Sequence, residues 1–207
     1  MTSIAFYQKL AGHQRITTRD AAQLTGLTIP AASMALRRLA AGGLSTPLKK
    51  GTWLLGTPSS KPGALVIAAA EPYQAYLSGW SALRLHDRIQ QIPQMHFAIT
   101  LGRPGEVNLA GTRIILHRIM PGLFGGYDYD GRVDGFVASP EKAIFDLAYL
   151  TAMNRSRVSG SLPETDLSGL GWEEARDWVR RIRTARVRKA VEANMERMRE
   201  QHAETVN

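Results

Sequence analysis

The chain has 207 residues, of which 44% are hydrophobic and 21% are charged, and it carries 26 Lys and Arg against 18 Asp and Glu. These fractions are typical of a globular protein and argue against a disordered or fibrous one. Because the chain has no cysteine, disulfides, thiolate metal sites and cysteine nucleophiles are excluded. The longest purely apolar run, Ala64 to Ala70, is far shorter than the roughly 20 residues that span a bilayer, and the first residues lack the layout of a secretory signal. We therefore expect a cytoplasmic protein with no membrane partner.

The excess positive charge is concentrated at the N-terminal end of the chain. Residues 1–60 contain seven Lys and Arg and a single acidic residue, Asp20, whereas residues 61–155 and 156–207 each carry a net charge of only +1. Such an asymmetry is expected of a module that faces a polyanion. Nucleic acid is therefore the favoured partner, and a solvated basic face with no partner is the alternative.

Two short helices are predicted first. The apolar residues of 4–10 have amphipathic helical spacing, and this helix stops at Gly12. The next helix can be capped by Thr17 or Thr18, because a threonine oxygen accepts a free backbone N–H of the first turn. It ends near Gly26, since glycine adopts the left-handed conformation most readily.

A third helix is predicted from Pro30 to about Ala41, with Thr28 leading into a proline that suits the first helical position. Two short helices separated by a glycine-containing turn form a helix-turn-helix, whose second helix can enter the major groove of DNA. Helical spacing directs four apolar residues of the third helix toward the core. These are Ala32, Ala35, Leu36 and Leu39.

The opposite face of this helix carries the candidate DNA-binding residues. Ser33 and Arg37 are assigned to base edges, because arginine can pair bidentately with guanine. Thr28 and Arg38 are assigned to phosphate contacts. The alternative for the two arginines is a solvated helix end stabilised by the helix dipole.

Residues 44–48 and 53–55 read as two strands of a hairpin with lysines at its tip. Lys49 and Lys50 would offer positive charge to the DNA backbone, and Trp53 is interpreted as a core or hairpin anchor rather than a stacking platform. The order helix, helix, turn, helix, hairpin predicts that residues 1–56 form a winged helix-turn-helix DNA-binding domain.

Residues 57–63 are rich in turn formers and are predicted to be a linker. A mixed α+β domain is expected over residues 64–155, beginning with a helix from Pro72 to His86 and containing turn residues at 102–105. Three strands are predicted, over residues 94–101, 112–119 and 135–138.

Ser139 is predicted to cap a helix from Pro140 to about Met153. Residues 156–207 are expected to be a helical segment, with one helix from Trp172 to about Arg199 whose alternating charges favour solvated ion pairs. Its basic residues are a secondary candidate for contact with nucleic acid or an acidic partner. They are Arg180, Arg181, Arg183, Arg186, Arg188 and Lys189. The fold class is therefore α+β, with an N-terminal winged helix-turn-helix, a mixed second domain and a C-terminal helical tail.

No catalytic constellation is evident. The five histidines show no pair at metal-ligand spacing. Asp134 and Glu141 with Lys142 could suggest a magnesium-dependent nuclease, but the acid-x-lysine spacing is absent. We therefore expect no catalytic residue, no metal and no cofactor, and a protein that is not an enzyme.

Residues 5 to 150 resemble the AbiEi-type antitoxins of bacterial type IV toxin–antitoxin systems. The resemblance is carried by the basic winged helix, by a helix containing Gly79–His86, by a strand pair and above all by the segment Ser139–Leu147. It implies a transcriptional repressor that binds double-stranded DNA at its own operator, and a second domain that neutralises a cognate nucleotidyltransferase toxin. Within the segment, Lys142 and Asp146 have the i, i+4 spacing of an ion pair, which favours a structural role.

Three other functions stay open at this point. The chain could be a ligand-sensing winged-helix transcription factor without a toxin, a nucleic-acid-processing enzyme, or an interaction protein whose basic module is incidental. The operator sequence and the oligomeric state are left undetermined.

Overall fold

The computed structural model describes residues 2–56, 60–92, 94–153 and 165–206. This part of the chain is mixed α+β, with eight α-helices and two β-sheets. None of its helices combines the length and the apolar character that crossing a membrane requires.

The first sheet and the first three helices lie within residues 3–55. The antiparallel sheet has the strand order β1-β3-β2. The predicted helices and hairpin strands are confirmed to within a few residues, whereas β1 was not predicted. In chain order the elements are α1 (Ser3–Leu10), β1 (Arg15–Thr17), α2 (Thr18–Thr25), α3 (Ile29–Ala41), β2 (Ser45–Lys49) and β3 (Thr52–Leu55).

Local capping explains where the helices begin and end. The Thr17 hydroxyl accepts the backbone N–H of Asp20 at 3.1 Å, and the Asp20 carboxylate accepts the backbone N–H of Thr17, which forms a capping box. Gly26 ends α2 at a φ of 71°, in the left-handed region that favours glycine. Thr28 caps α3 by accepting the backbone N–H of Ala31 at 3.4 Å.

A small hydrophobic core joins these elements. Of the four residues of α3 predicted to face it, Ala32, Leu36 and Leu39 are buried, and Ala35 is partly buried against the core. From the hairpin, Leu48 and Leu54 pack instead into the larger core of the following residues.

The second sheet has six strands in the order β6-β7-β5-β4-β9-β8. It is mixed, since β5 with β7 and β4 with β9 are parallel and the other neighbours are antiparallel. The strands are β4 (Ala75–Leu77), β5 (His96–Thr100), β6 (Gly105–Leu109), β7 (Thr112–Arg118), β8 (Tyr127–Asp130) and β9 (Gly135–Ala138). The helices around it are α4 (Pro62–Ala70), α5 (Gly79–Leu85) and α6 (Pro140–Ala152), with a 3₁₀ turn at Pro121–Leu123.

The prediction of one helix from Pro72 to His86 is wrong. The segment contains β4 and then α5, whose first residue, Gly79, has a φ of 50°. All three residues of β4 are buried, because this strand lies inside the sheet between β5 and β9. A short strand buried on both faces shows no alternation, so its apolar residues also fit a helical pattern.

The predicted linker also needs correction. Residues 57–59 lie outside the described residues, and Pro62 and Gly63 form the first turn of α4. At Gly63 a β-carbon would lie 2.6 Å from the Cα of Gly135, so two glycines allow α4 to approach β9 closely. Gly63 therefore allows α4 to pack against β9 and is not part of a linker between domains.

The strands at 94–101, 112–119 and 135–138 and the helix at 140–153 are confirmed as β5, β7, β9 and α6. The single helix predicted over 172–199 is wrong, because the chain forms α7 (Trp172–Arg180) and α8 (Ala185–Val206). The turn between them places Ile182 in the core and lets the Arg181 N–H bond to the carbonyl of Trp178 at 3.2 Å. Residues 156–164 of the predicted tail lie outside the described residues.

Candidate nucleic-acid interface

The inner face of α3 packs against the small core, and its outer face is exposed to solvent. Met34 is 55% exposed, and Arg37 and Arg38 are exposed beside it. Ser33 is half-buried at the edge of this face. The face therefore presents two cations and an exposed methionine to the solvent on a helix of thirteen residues.

A groove of about 740 Å³ lies between α3 and the β2–β3 hairpin. Three of the predicted site residues line it: Ser33 and Arg37 from α3, and Lys50 from the hairpin turn. Pro30 and Pro47 also line the groove, one from each of its two elements. The fold thus brings together side chains that the sequence places on separate elements.

Hydrogen bonds hold the hairpin in this position. The indole N–H of Trp53 donates to the Thr18 hydroxyl at 3.0 Å, and the backbone N–H of Thr18 donates to the Gly51 carbonyl at 2.9 Å. On the other strand, the buried Ser45 hydroxyl donates to the Leu36 carbonyl of α3 at 3.0 Å. The hairpin tip is therefore tied to the start of α2, and the hairpin base is tied to α3.

This arrangement confirms the interpretation of Trp53 as an anchor, since the side chain is 8% exposed and packs in the small core. The role of Thr18 was missed. In the sequence it is one of two adjacent threonines at a helix start, and nothing in the local pattern indicates a bond to a tryptophan 35 residues away.

The other predicted site residues are not among those that line the groove. Thr28 caps α3, and its hydroxyl hydrogen can still donate to another acceptor. Arg38 is exposed on α3 but does not line the groove. Lys49 ends β2, and its side chain lies outside what the structure describes.

The groove and the adjoining face of α3 carry uncompensated positive charge. Asp20 is the only acidic residue in the first sixty, and its carboxylate accepts hydrogen bonds from Thr17 in the capping box. Among the described residues, Arg37, Arg38 and Lys50 form no ion pair. A phosphate near this face would therefore meet cations that no carboxylate neutralises.

A second polar cluster lies in the interior of the six-stranded region. Lys142 and Asp146 form the ion pair that their spacing predicts, and neither side chain is exposed. The Asp146 carboxylate accepts the Ser78 hydroxyl at 2.7 Å and the Tyr76 hydroxyl at 3.1 Å, and the Lys142 ammonium donates to Tyr76 Oη at 2.9 Å. The ammonium also lies 4.8 Å from the ring centre of Trp178.

Burial dominates the titration of this pair. Removal from water lowers the pKa of Lys142 and raises the pKa of Asp146, and the mutual attraction of the two charges opposes both shifts. Burial and the neighbouring Asp146 carboxylate likewise raise the pKa of Tyr76. The polar side-chain atoms buried here all have hydrogen-bond partners, and neither charged side chain is exposed to solvent.

The carboxylates considered for magnesium have other partners. Asp134 accepts the Tyr129 hydroxyl at 2.7 Å, and Glu141 accepts the backbone N–H of Gly171 at 3.1 Å. No three His, Asp or Glu side chains are grouped so that they could hold a metal ion in the ranges that the structure describes. In comparisons with known proteins, no family model and no curated protein matches the chain.

Proposed function

We propose that the chain is a sequence-specific, DNA-binding transcriptional repressor whose residues 1–56 act as a winged helix-turn-helix. In this proposal α2 and α3 form the helix-turn-helix, α3 is the recognition helix and the β2–β3 hairpin is the wing. The observation that carries the proposal is the groove in which Ser33, Arg37 and Lys50 meet, in the most basic part of the chain.

The residues divide by the chemistry that each can supply. Arg37 reads a guanine through two N–H donors, and Ser33 supplies a short hydroxyl beside it. Arg38, Thr28, Lys49 and Lys50 contact phosphates, which orient α3 in the major groove without reading sequence.

We further propose that the repressor is an antitoxin of the AbiEi type, located in the cytoplasm, that regulates its own operon and neutralises a nucleotidyltransferase toxin. The resemblance over residues 5–150 supports this, with the segment that forms the start of α6 as its most specific part. Because Lys142 and Asp146 in that segment are buried, their role in this proposal is to stabilise the second domain. Contacts to a toxin would come from exposed residues.

The proposal is tested with a reporter gene placed behind the DNA immediately upstream of the chain's own gene. Expression of the full chain should lower reporter output, and a nuclease footprint of the purified protein should protect a short region of that DNA. Arg37→Ala should relieve repression. Arg113→Gln is the charge-matched control, because Arg113 is ion-paired with Glu106 on the other sheet. Unchanged reporter output together with no footprint would reject the proposal.

The antitoxin part has a separate test. The product of the adjacent gene should arrest growth when expressed alone, and the full chain should relieve that arrest. Arg37→Ala should relieve it equally well, because neutralisation is assigned to the second domain. A neighbour that does not impair growth, or an arrest that the chain leaves in place, would remove the antitoxin assignment and leave the repressor assignment standing.

A further inference from the structure

Positive charge is concentrated around the turn between α7 and α8. Elsewhere in this helical region, basic residues form ion pairs with acidic ones. Between Asp177 and Glu192 the chain has six basic residues and no acidic one. On α7, by contrast, Arg176 pairs with Glu173, and Arg180 pairs with both Glu173 and Asp177. The expectation of a helix laced with ion pairs therefore holds for α7 but fails at the turn.

Three arginines in this turn and at the adjoining start of α8 are exposed: Arg181, Arg183 and Arg186, which we call the arginine corner. None of them forms an ion pair with another residue that the structure describes. Arg186 lies in the first turn of α8, where the helix dipole disfavours a cation. The positive charge of Arg186 therefore lies at a position where it lowers the stability of α8.

The corner is held in place by its buried neighbours. Ile182, between two of the arginines, is 4% exposed, and its carbonyl accepts an N–H of the Arg188 guanidinium at 3.3 Å. The Arg181 guanidinium stacks at 4.0 Å from the ring centre of Trp178, which packs in the core. The backbone of the turn and the Arg181 side chain are therefore held in place before an anion binds, which reduces the conformational freedom lost on binding.

The surroundings of the corner fit a nucleic-acid backbone better than a protein partner. Protein interfaces have an apolar or aromatic centre, yet no exposed large hydrophobic side chain lies within residues 165–201. Guanidinium groups match the geometry of phosphate oxygens, which they bind through two parallel hydrogen bonds. Exposed positive charge without an exposed large hydrophobic side chain is typical of a surface that contacts phosphates.

We infer that the arginine corner is a second contact surface for the phosphate backbone of duplex DNA, separate from the groove of α3 and the hairpin. The inference rests on the proposed DNA-binding function and adds a site in the C-terminal region. It assigns no base recognition to the corner, because phosphate contacts carry no sequence information directly.

The test measures binding of the full chain to its upstream DNA across a salt series, on a duplex several helical turns longer than the footprint. The variant Arg183→Gln with Arg186→Gln removes two cations that form no ion pair with another described residue, so it should fold normally. The variant Arg113→Gln with Arg132→Gln is the control. It removes the same charge from arginines paired with Glu106 and Asp130.

Each phosphate contact adds about 0.9 to the slope of log affinity against log salt, so the corner variant should lose about 2 in slope and the control nearly none. The ratio of the corner variant's affinities for native and scrambled DNA should equal that of the wild-type protein. Equal slopes for the two variants would overturn the inference even if the wild-type protein binds specifically. Failure of the wild-type protein to prefer its upstream DNA would instead count against the proposed function.

Discussion

Arg37 of α3 and Lys50 of the hairpin turn line one groove, although they belong to different elements. The hydrogen bond from the Ser45 hydroxyl to the Leu36 carbonyl ties the hairpin base to α3, and the bond from the Trp53 indole to the Thr18 hydroxyl ties the hairpin to the start of α2. This geometry places a side chain able to read a base beside one able to neutralise a phosphate. The two should therefore contribute differently to binding.

Arg37→Ala should weaken binding to the native upstream DNA more than binding to a scrambled duplex. The loss of discrimination should be about 1–3 kcal/mol, the usual value of one bidentate base contact. Binding constants on both duplexes at one fixed salt concentration measure it. Equal losses on the two duplexes would contradict the assignment of Arg37 to a base edge.

Lys50→Ala should instead weaken binding to native and scrambled DNA by the same factor. Because the lysine neutralises a phosphate, the slope of log affinity against log salt should decrease by about 0.9. A salt titration of the variant beside the wild-type protein gives this slope. A preserved slope would show that Lys50 does not touch the DNA backbone.

Thr18→Val should destabilise the fold of residues 3–55, because it leaves the buried indole N–H of Trp53 without its acceptor. An unsatisfied buried donor costs about 1–3 kcal/mol. The near-isosteric control is Thr46→Val on β2, whose hydroxyl makes no hydrogen bond to another described residue. Urea unfolding followed by tryptophan fluorescence compares the two, and equal stability of the variants would exclude the anchoring role.

Lys142→Met should strongly destabilise the part of the protein built around the larger core, by about 3–5 kcal/mol, since Asp146 would then be a buried charge without a cation. Adding Asp146→Leu should restore a large part of that loss, because the double variant buries no charge. Denaturant unfolding of the wild type, both single variants and the double variant gives the coupling energy. Additive losses would show that the two side chains act independently.

The stability of the protein should decrease as the pH falls below about 6.5, in part through His96. Burial lowers the pKa of His96 from 6.5, so the folded state favours the neutral ring and the unfolded chain binds the proton more readily. The contribution of His96 to the free energy of unfolding is complete above its pKa in the unfolded chain. It is lost as the pH falls toward the lower pKa that His96 has in the folded protein. His96→Gln should flatten the unfolding free energy between pH 7 and 5, where the imidazole titrates. An unchanged pH profile would assign the dependence to other groups.

The helices of the N-terminal unit could be predicted because their boundaries depend on neighbouring residues. The capping threonines Thr17 and Thr28 and the left-handed Gly26 act within a few positions of their own helix. By contrast, β4 is defined by strands distant in the chain, and all its residues are buried. Local pattern could not distinguish it from a helix.

The same distinction applies to the candidate site. The sequence identified the face of α3 and the lysines of the turn, because helical spacing and turn composition are local. The groove depends on β1, a strand of only three residues paired with β3, and on the contact of Trp53 with Thr18. Neither has a local signal, so the convergence of Arg37 with Lys50 could be seen only in the fold.

The most direct test of the central claim is fluorescence anisotropy of the full chain on the DNA immediately upstream of its own gene, against a scrambled duplex of equal length, across a salt series. A sequence-specific repressor should bind the native fragment about a thousandfold or more tightly than the scramble at physiological salt. Equal and steeply salt-dependent affinities for the two duplexes would contradict the claim, because the basic module would then bind only the DNA backbone.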